Sequence, residues 1–222
     1  MDAASGLYDP HVPALAEDLL LLLLDDNSGK PQADSTSMDY ALAGAVLAEL
    51  AMAGRIEVVE GGGFFGGSKV EVANAAPTGD DISDAALRLV ADRSRRGEKL
   101  VPKLSKGLRK EVLGRLEQRG VLRRESTRVL GVFPQERWPA EDASAEQALR
   151  QRLHDVLVVG TAPDERTVVL VALLSAIDQA HKLFDSDRIE RKAVKGGAKS
   201  LAEGSWTATA VQQGGAGSTF SG

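Results

Sequence analysis

LAEDLLLLLLDD, residues 15–26 of the chain, predicts a buried helix from Leu15 to Leu24 that ends at the turn DDNSG of residues 25–29. The leucine run within it is bracketed by pairs of acidic residues. It is also much shorter than the roughly 20 apolar residues that a membrane span needs. The stretch therefore belongs to a protein core, and the sequence predicts no helix that crosses a bilayer.

The composition favours a core made of helices. The chain has 222 residues, of which 43% are hydrophobic but only 4% aromatic, so leucine, valine and alanine must fill the interior. We predict a mainly α protein: a single compact helical domain over residues 14–212 with peripheral β-hairpins. A loose leader is predicted for residues 1–13 and a disordered tail for residues 213–222.

Periodicity and turn residues place the remaining elements. Helices are predicted over residues 38–53, 80–92, 104–119, 143–158, 164–184, 187–202 and 205–212. One hairpin is predicted from strands 55–60 and 69–73, and a second from strands 121–124 and 127–133. The pattern L-x-x-L-x-x-x-G-x-[IL] occurs at residues 47–56 and again at 113–122, which predicts two helices that each end at a glycine and lead into a strand.

Positive charge is concentrated in one segment. Residues 88–128 hold 14 Lys and Arg against 5 Asp and Glu, whereas residues 1–87 hold 3 against 15 and the whole chain has a net charge of −5. A basic segment in an acidic protein indicates a surface for an anionic partner, such as phospholipid headgroups or a phosphate backbone. The alternative is that some of these cations pair with the acidic N-terminal third.

No catalytic or metal-binding pattern stands out. The chain has no cysteine, and His11, His154 and His181 lack metal-ligand spacing, so we interpret His154 and His181 as surface or packing residues. The glycine-rich stretch of residues 61–67 lacks the G-K-[ST] ending of a phosphate-binding loop. We predict no enzymatic activity, no metal site and no cofactor. The absence of cysteine and of a signal peptide favours a cytoplasmic protein.

The hairpin after the basic segment is the second candidate feature. Residues 129–133, VLGVF, are apolar on consecutive positions, and Trp138 follows shortly after. Apolar side chains on both faces of a strand must be buried or used for contact. With cations just upstream, this hairpin could enter a headgroup layer, where tryptophan is favoured. The alternative is that both faces are buried in the fold.

With these elements placed, the chain resembles the Golgi phosphoprotein 3 family in its bacterial form. Four stretches carry the resemblance in the family's order and spacing: LAEDLLLLLLD at residues 15–25, AGAVLAELAMAGR at 43–55, APTGD at 76–80 and LEQRGVL at 116–122. The resemblance covers about residues 12–212. It implies a largely helical domain and a peripheral membrane protein that recognises phosphatidylinositol 4-phosphate beside a hydrophobic hairpin.

The resemblance also implies site residues. Two basic positions of the family's headgroup pocket fall on Lys106 and Arg109, whereas a third basic position falls on Ala43 and the pocket tryptophan near Asp34. Lysine offers phosphate a point charge where arginine binds it bidentately. The hairpin expected to contact the membrane comprises Val129, Leu130, Val132 and Phe133.

We therefore predict a protein that binds anionic phospholipid membranes peripherally, on the inner face of the membrane, through a basic helix and an apolar hairpin. Two alternatives stay open. A basic helix followed by a hairpin is also typical of a winged-helix nucleic-acid binder, although the acidic upstream elements and the lack of interleaved Asn, Gln or Ser argue against it. A scaffold that docks protein partners or forms homo-oligomers is the other.

Overall fold

The computed structural model describes residues 14–25, 28–59, 69–92, 95–129, 133–184, 188–203 and 206–218. Within these ranges the helices are α1 (Leu15–Leu22), α2 (Ser35–Met52), α3 (Asp81–Asp92), α4 (Gly97–Leu104), α5 (Leu108–Gln118), α6 (Ser144–His154), α7 (Glu165–Ala176), α8 (Arg188–Ala202) and α9 (Trp206–Ser218). The strands are β1 (Ile56–Val59), β2 (Lys69–Val72), β3 (Arg95–Arg96), β4 (Glu125–Val129) and β5 (Phe133–Arg137).

Helices α1 and α2 form the centre of the molecule. Every residue of α1 is buried, and α1 packs against α2, α5, α6 and α7. Helix α2 is buried from Ala41 to Ala48 and packs against α7 and α9 on one side and α3, α4 and α5 on others. The leucine-rich stretch that opens the domain is therefore its innermost helix, as predicted.

Two small antiparallel sheets lie outside this helical core. One has the order β1-β2-β3, with Ile56 opposite Val72 and Val59 opposite Lys69. The other is the hairpin β4–β5, in which Glu125 lies opposite Arg137. The prediction of a mainly α domain with peripheral hairpins is confirmed.

The repeated L-x-x-L-x-x-x-G-x-[IL] pattern forms the same helix end twice. Gly54 and Gly120 both have positive φ, of +64° and +70°. The amide after each glycine reaches back five residues: Arg55 N donates to Leu50 O at 2.8 Å, and Val121 N donates to Leu116 O at 2.9 Å. This is the Schellman arrangement, in which a left-handed residue satisfies the last carbonyls of a helix.

The predicted helix over residues 104–119 is wrong as a single element. Helix α4 ends at Leu104 and α5 begins at Leu108, because Gly107 between them has φ of +81° and cannot continue a right-handed helix. Lys106 therefore lies in a turn, and not on the same helix as Arg109.

The second hairpin is shifted along the sequence from its prediction. Leu122 forms an isolated bridge with Ala140, and the paired strands are β4 and β5, with Val129 opposite Phe133. The described strands thus end at Val129 and begin again at Phe133, and residues 130–132 lie outside the described residues. The run VLGVF is apolar at consecutive positions, so hydrophobicity alone could not show where either strand ends.

The C-terminal helices differ from the prediction mainly in where they end. The predicted helix 164–184 ends at Ala176, and Asp178 then takes a positive φ of +55°. Helix α6 continues as a π-helical turn, Asp155–Val159. Helix α9 extends to Ser218, so the predicted tail from residue 213 begins inside a helix. The predicted leader and the glycine-rich residues 61–67 lie outside the described residues.

Across the parts of the chain that the structure covers, no helix combines the length and the apolar character needed to span a membrane.

Candidate functional site

A groove of about 730 Å³ lies between α5, the base of the β4–β5 hairpin and the segment that joins α1 to α2. Its walls combine apolar, aromatic and charged side chains. They are Leu20, Leu24, Pro31, Ser35, Arg109, Lys110, Leu113, Gly114, Glu117, Arg124, Glu136 and Trp138. We refer to this cavity as the α5 groove.

The hairpin base is fixed against the body of the protein and forms one wall of the groove. Trp138 N donates to Gly29 O at 3.1 Å, and Arg123 N donates to Pro139 O at 3.1 Å. On the groove side Arg124 forms an ion pair with Glu136, and its Cζ lies 5.9 Å from the ring centroid of Trp138. The wall therefore presents an indole with a guanidinium beside it.

Arg109, in the first turn of α5, enters the groove from the opposite wall. Its Nε lies 3.2 Å from Asp39 Oδ1, and its Nη1 lies 3.7 Å from Met38 Sδ. Burial raises the pKa of Asp39, and the positive charge of Arg109 opposes this upward shift. Arg109 is therefore held at the groove by a half-buried carboxylate, and its guanidinium keeps further donors for a ligand.

Around α5, arginines of the basic segment pair with acidic residues, whereas its lysines are exposed. Arg115 forms an ion pair with Asp80 and Arg119 with Glu17, both carboxylates being almost fully buried. The lysines of the segment are instead exposed, and none has a hydrogen-bond or ion-pair partner among the described residues; they are Lys99, Lys103, Lys106 and Lys110. Pairing with the acidic N-terminal third thus accounts for Arg109, Arg115 and Arg119. The four lysines form an accessible positive surface on α4, the turn after it and α5, which we call the α4–α5 surface.

The structure does not bring the predicted headgroup-binding positions together in one pocket. Arg109 lines the α5 groove, whereas Lys106 lies exposed in the turn before α5 and is not among the lining residues. Ala43 is fully buried in the middle of α2, so this position faces the core. Asp34 caps α2 by accepting a hydrogen bond from Ser37 N at 2.9 Å. Hydrogen bonds from Ser37 lower the pKa of Asp34, which keeps it ionised next to groove-lining Ser35.

Two of the predicted membrane-contacting residues, Val129 and Phe133, form the last described pair of the β4–β5 register. Leu130 and Val132 lie outside the described residues. The apolar run is thus carried at the far end of a hairpin whose base borders the α5 groove.

Lys110, Gly114, Glu117 and Arg124 line the groove but were not singled out from the sequence. The first three lie at intervals of four and three residues on α5, so they share one face of the helix. This spacing could have predicted, from the sequence alone, that these three residues lie together. Arg124 and Trp138 could not have been assigned to the same site, because only the pairing of β4 with β5 brings them together.

His154 and His181 take packing and surface positions. The ring of His154 packs edge-on against Phe184 with centroids 5.8 Å apart, and His181 Nδ1 lies 3.7 Å from Asp178 Oδ1. Among the residues that the structure describes, no three His, Asp or Glu side chains are grouped so that they could hold a metal ion.

Comparison with known proteins identifies a family and a relative. The model of the family described as Golgi phosphoprotein 3 (GPP34) matches residues 15–214. The chain is also 30% identical, over 163 residues, to the vacuolar protein sorting-associated protein 74 of Eremothecium gossypii. This alignment covers 65% of the chain and 49% of that protein, so the chain spans about half the length of this relative.

Proposed function

Since the chain belongs to the Golgi phosphoprotein 3 family, we propose that it is a peripheral membrane protein that binds anionic phospholipid headgroups. The observation that carries the proposal is the α5 groove, which opens beside exposed lysines and at the base of a hairpin with an apolar end. Arg109 inside the groove and Lys106 beside it are the proposed headgroup contacts.

The exposed lysines supply the attraction to the membrane. Each Lys or Arg close to an anionic surface contributes about 1 kcal/mol at physiological ionic strength. Four exposed lysines without partners among the described residues lie on α4, the following turn and α5. This attraction is enough for reversible association and must weaken as salt screens it.

The hairpin adds a contact that does not depend on charge. Burying Val129, Leu130, Val132 and Phe133 in the headgroup region removes apolar surface from water, at about 25 cal/mol per Å². Two signals of this kind, cationic and apolar, are typical of stable but reversible membrane association. In this arrangement the chain acts by binding, with no catalytic step.

Phosphatidylinositol 4-phosphate is the headgroup that membership of the family suggests. In this chain the positions that match the family's pocket hold Arg109 in the α5 groove, Lys106 in the turn before α5, buried Ala43 and the helix-capping Asp34. The relative's name associates it with vacuolar protein sorting. Because the chain spans about half of that protein, we extend only membrane association, and no partner or pathway, to this chain.

Binding of duplex DNA by a winged helix is less well supported. Arg115 and Arg119 of α5 would have to face the nucleic acid, but both are committed to the buried carboxylates of Asp80 and Glu17. The exposed residues of α5 are Lys110, Glu111, Glu117 and Gln118, and this set, in which acids outnumber the single lysine, does not form a base-reading surface.

Co-sedimentation with vesicles tests the proposal. Three compositions are compared at low and physiological salt: phosphatidylcholine alone, phosphatidylcholine with phosphatidylglycerol, and phosphatidylcholine with phosphatidylinositol 4-phosphate. We expect sedimentation with both anionic compositions, stronger at low salt, and none with phosphatidylcholine alone. Preference for the inositide would identify the headgroup. Failure to sediment with any anionic vesicle would refute the proposed function.

A further inference from the structure

Two adjacent valines at the end of α6 are exposed to solvent. Val158 and Val159 close the π-helical turn Asp155–Val159 and are exposed at 36% and 65%. Neighbouring apolar side chains that stay in water forgo favourable burial, and such patches commonly mark a contact surface. A π-helical turn within a helix is also frequently found at functional sites. The proposed membrane contacts do not include these valines, so they need an explanation of their own.

The π-helical turn packs against α8. A Cβ placed on Gly197 of α8 would lie 3.9 Å from Leu157 Cδ2, the residue just before the two valines. The preceding residue, Gly196, is exposed, and a Cβ placed on it would meet no atom within 4 Å. The described part of the chain therefore leaves α8 uncovered at Gly196.

Two lysines of α8 lie on the same side as Gly196 and are unpaired. Lys192 and Lys199 are exposed and have no hydrogen-bond or ion-pair partner among the described residues, whereas Lys195 pairs with Asp178 at 2.7 Å. At 3.6 residues per turn, Lys192 and Lys199 lie within about 60° of Gly196 around the helix axis and about 10 Å apart along it. This side of α8 thus presents two available cations two turns apart, with open backbone between them.

The exposed valines border this side of α8. Gly197 follows Gly196 by about 100° around the helix, and it is Gly197 that faces Leu157 of the π-helical turn. The valines follow Leu157 directly in the chain. An apolar edge and a row of cations therefore lie along one uncovered surface. We call this surface the α8 face; it comprises Val158, Val159, Lys192, Gly196 and Lys199.

We propose that the α8 face is the docking site for an amphipathic helix of a partner protein that carries acidic residues seven positions apart. The two carboxylates meet Lys192 and Lys199, because two turns of a helix lying alongside α8 give the same separation. Apolar side chains of the partner cover Val158 and Val159, and the missing side chain at Gly196 lets the two backbones approach. In this mode of recognition the apolar anchors give affinity and the charges fix register and orientation.

An anionic membrane fits the α8 face less well. The face offers two unpaired lysines, whereas the α4–α5 surface offers four. The same two elements also carry acids that a bilayer would repel: Asp155 in the π-helical turn, whose side chain is 43% exposed, and Glu203 just after α8. A helix contacts a narrow strip between such acids, whereas a flat membrane surface does not.

A peptide library tests the docking site without assuming one partner sequence. The probe is a phage-displayed library of random peptides of about 18 residues, which is five helical turns. The library is first depleted on a variant with Val158→Ser, Val159→Ser, Lys192→Glu and Lys199→Glu, and then selected on the wild-type chain. Depletion removes peptides that bind elsewhere, including those that bind the α4–α5 surface. We expect selected peptides that combine apolar residues at helical spacing with acidic residues seven positions apart.

Two outcomes of the selection would overturn the proposal. One is no enrichment on the wild type after depletion. The other is a set of selected peptides that lack acidic residues. The thermal midpoint of the depletion variant should equal that of the wild type, because all four substituted side chains are exposed.

Affinities for the strongest selected peptide separate the two kinds of contact. Fluorescence anisotropy should show about tenfold weaker binding for Lys192→Glu with Lys199→Glu, and a similar loss for Val158→Ser with Val159→Ser. Gly196→Leu should block the approach of the peptide while its thermal midpoint stays no lower than that of the wild type. Lys106→Glu with Lys110→Glu is the matched control and should not change peptide binding. Unchanged affinity in the lysine or the valine variant would contradict the proposed contacts.

Vesicle sedimentation separates this proposal from the proposed function. If the variants of the α8 face lose sedimentation with phosphatidylglycerol vesicles but still bind the peptide, the face is a membrane contact and the proposal is wrong. If the wild type binds the peptide but no anionic vesicle, the docking site stands and the proposed membrane function is refuted.

Discussion

Arg166 of α7 donates two hydrogen bonds to one carboxylate oxygen of Asp18 in α1, from Nε at 3.0 Å and from Nη2 at 2.8 Å. Asp18 is almost fully buried, and its partner lies 148 residues further along the chain. The innermost helix is thus joined to a C-terminal helix by an ion pair that involves one of the acidic residues preceding its leucine run.

Replacing Arg166 by methionine should therefore strongly destabilise the domain. The change leaves the Asp18 carboxylate buried without its main counter-ion, which typically costs about 3–5 kcal/mol. Urea unfolding measures the effect. Arg123→Met is the control, because the Arg123–Glu125 pair is exposed, at 58% and 40%, and such pairs contribute about 1 kcal/mol or less. Equal losses in the two variants would contradict this role for the buried pair.

The free energy of unfolding should depend on pH because the buried carboxyl of Glu17 has a shifted pKa. Burial raises the pKa of Glu17 above its ordinary value of 4.5, although Arg119 and Arg115 oppose the shift. A pKa that is higher in the folded state contributes stability that is present below the ordinary value and lost as pH rises through the raised value. Glu17→Gln removes this contribution. The wild type should therefore lose stability relative to Glu17→Gln as pH rises from about 4.5.

Urea unfolding at a series of pH values checks this, with Asp142→Asn as a control of opposite sign. Hydrogen bonds from Ser144 lower the pKa of Asp142 below 3.8, so its contribution is present above that value and lost as pH falls through the lowered pKa. A constant stability difference between wild type and Glu17→Gln across the range would show that Glu17 is not titrating as described.

Two glycines of the same region should respond to alanine in opposite directions. Gly120→Ala places a Cβ on a residue with φ of +70° and should cost about 1 kcal/mol. Gly114→Ala occupies open space inside α5 and should stabilise by about 0.5–1 kcal/mol. Thermal unfolding of both variants tests the assignment. A destabilised Gly114→Ala would contradict the finding that a Cβ at this position lies in open space.

The hairpin should contribute to membrane binding independently of salt. Replacing Leu130 and Val132 by serine should weaken binding to anionic vesicles while leaving its relative decrease with salt unchanged, because only the apolar contact is removed. Serine at Val158 and Val159, which are exposed at 36% and 65%, is the matched control and should not change binding. If serine at Leu130 and Val132 weakens vesicle binding no more than serine at Val158 and Val159 does, the hairpin makes no specific contribution to membrane binding.

The sequence was most informative about the core. The leucine run and the alanine-rich second helix determined the fold class because nearly every position of α1 and the middle of α2 is buried. The repeated glycine pattern gave two helix ends correctly, since the left-handed conformation is a local property. The prediction of one helix over residues 104–119 was wrong because the helical spacing of apolar residues continues across the turn at Gly107.

The candidate site was less predictable, because its residues depend on long-range pairing. Arg119 meets Glu17 across 102 residues, and nothing local distinguishes it from an arginine facing solvent. Family resemblance pointed to Arg109, which lines the groove, and to Lys106, which lies in the turn before α5; their role as headgroup contacts stays a prediction. The groove itself needed the hairpin base and Trp138 to be placed against α5, and that contact is visible only in three dimensions.

The most direct test of membrane binding reverses the charge of the two proposed headgroup contacts. The variant combines Lys106→Glu with Arg109→Glu, and a second variant, Lys106→Glu with Lys110→Glu, avoids placing an acid beside Asp39. Lys192→Glu with Lys199→Glu, on exposed positions of α8, changes the net charge equally and serves as the control. Urea unfolding confirms that each variant is folded.

The measurement is the affinity for phosphatidylglycerol-containing vesicles at physiological salt. Both variants of the α4–α5 surface should bind more than about thirtyfold more weakly than the wild type, because at least two favourable contributions of about 1 kcal/mol are lost and repulsion replaces them. The α8 control should bind nearly as well as the wild type. Unchanged affinity in the first two variants, or an equal loss in the α8 control, would contradict membrane binding through this surface.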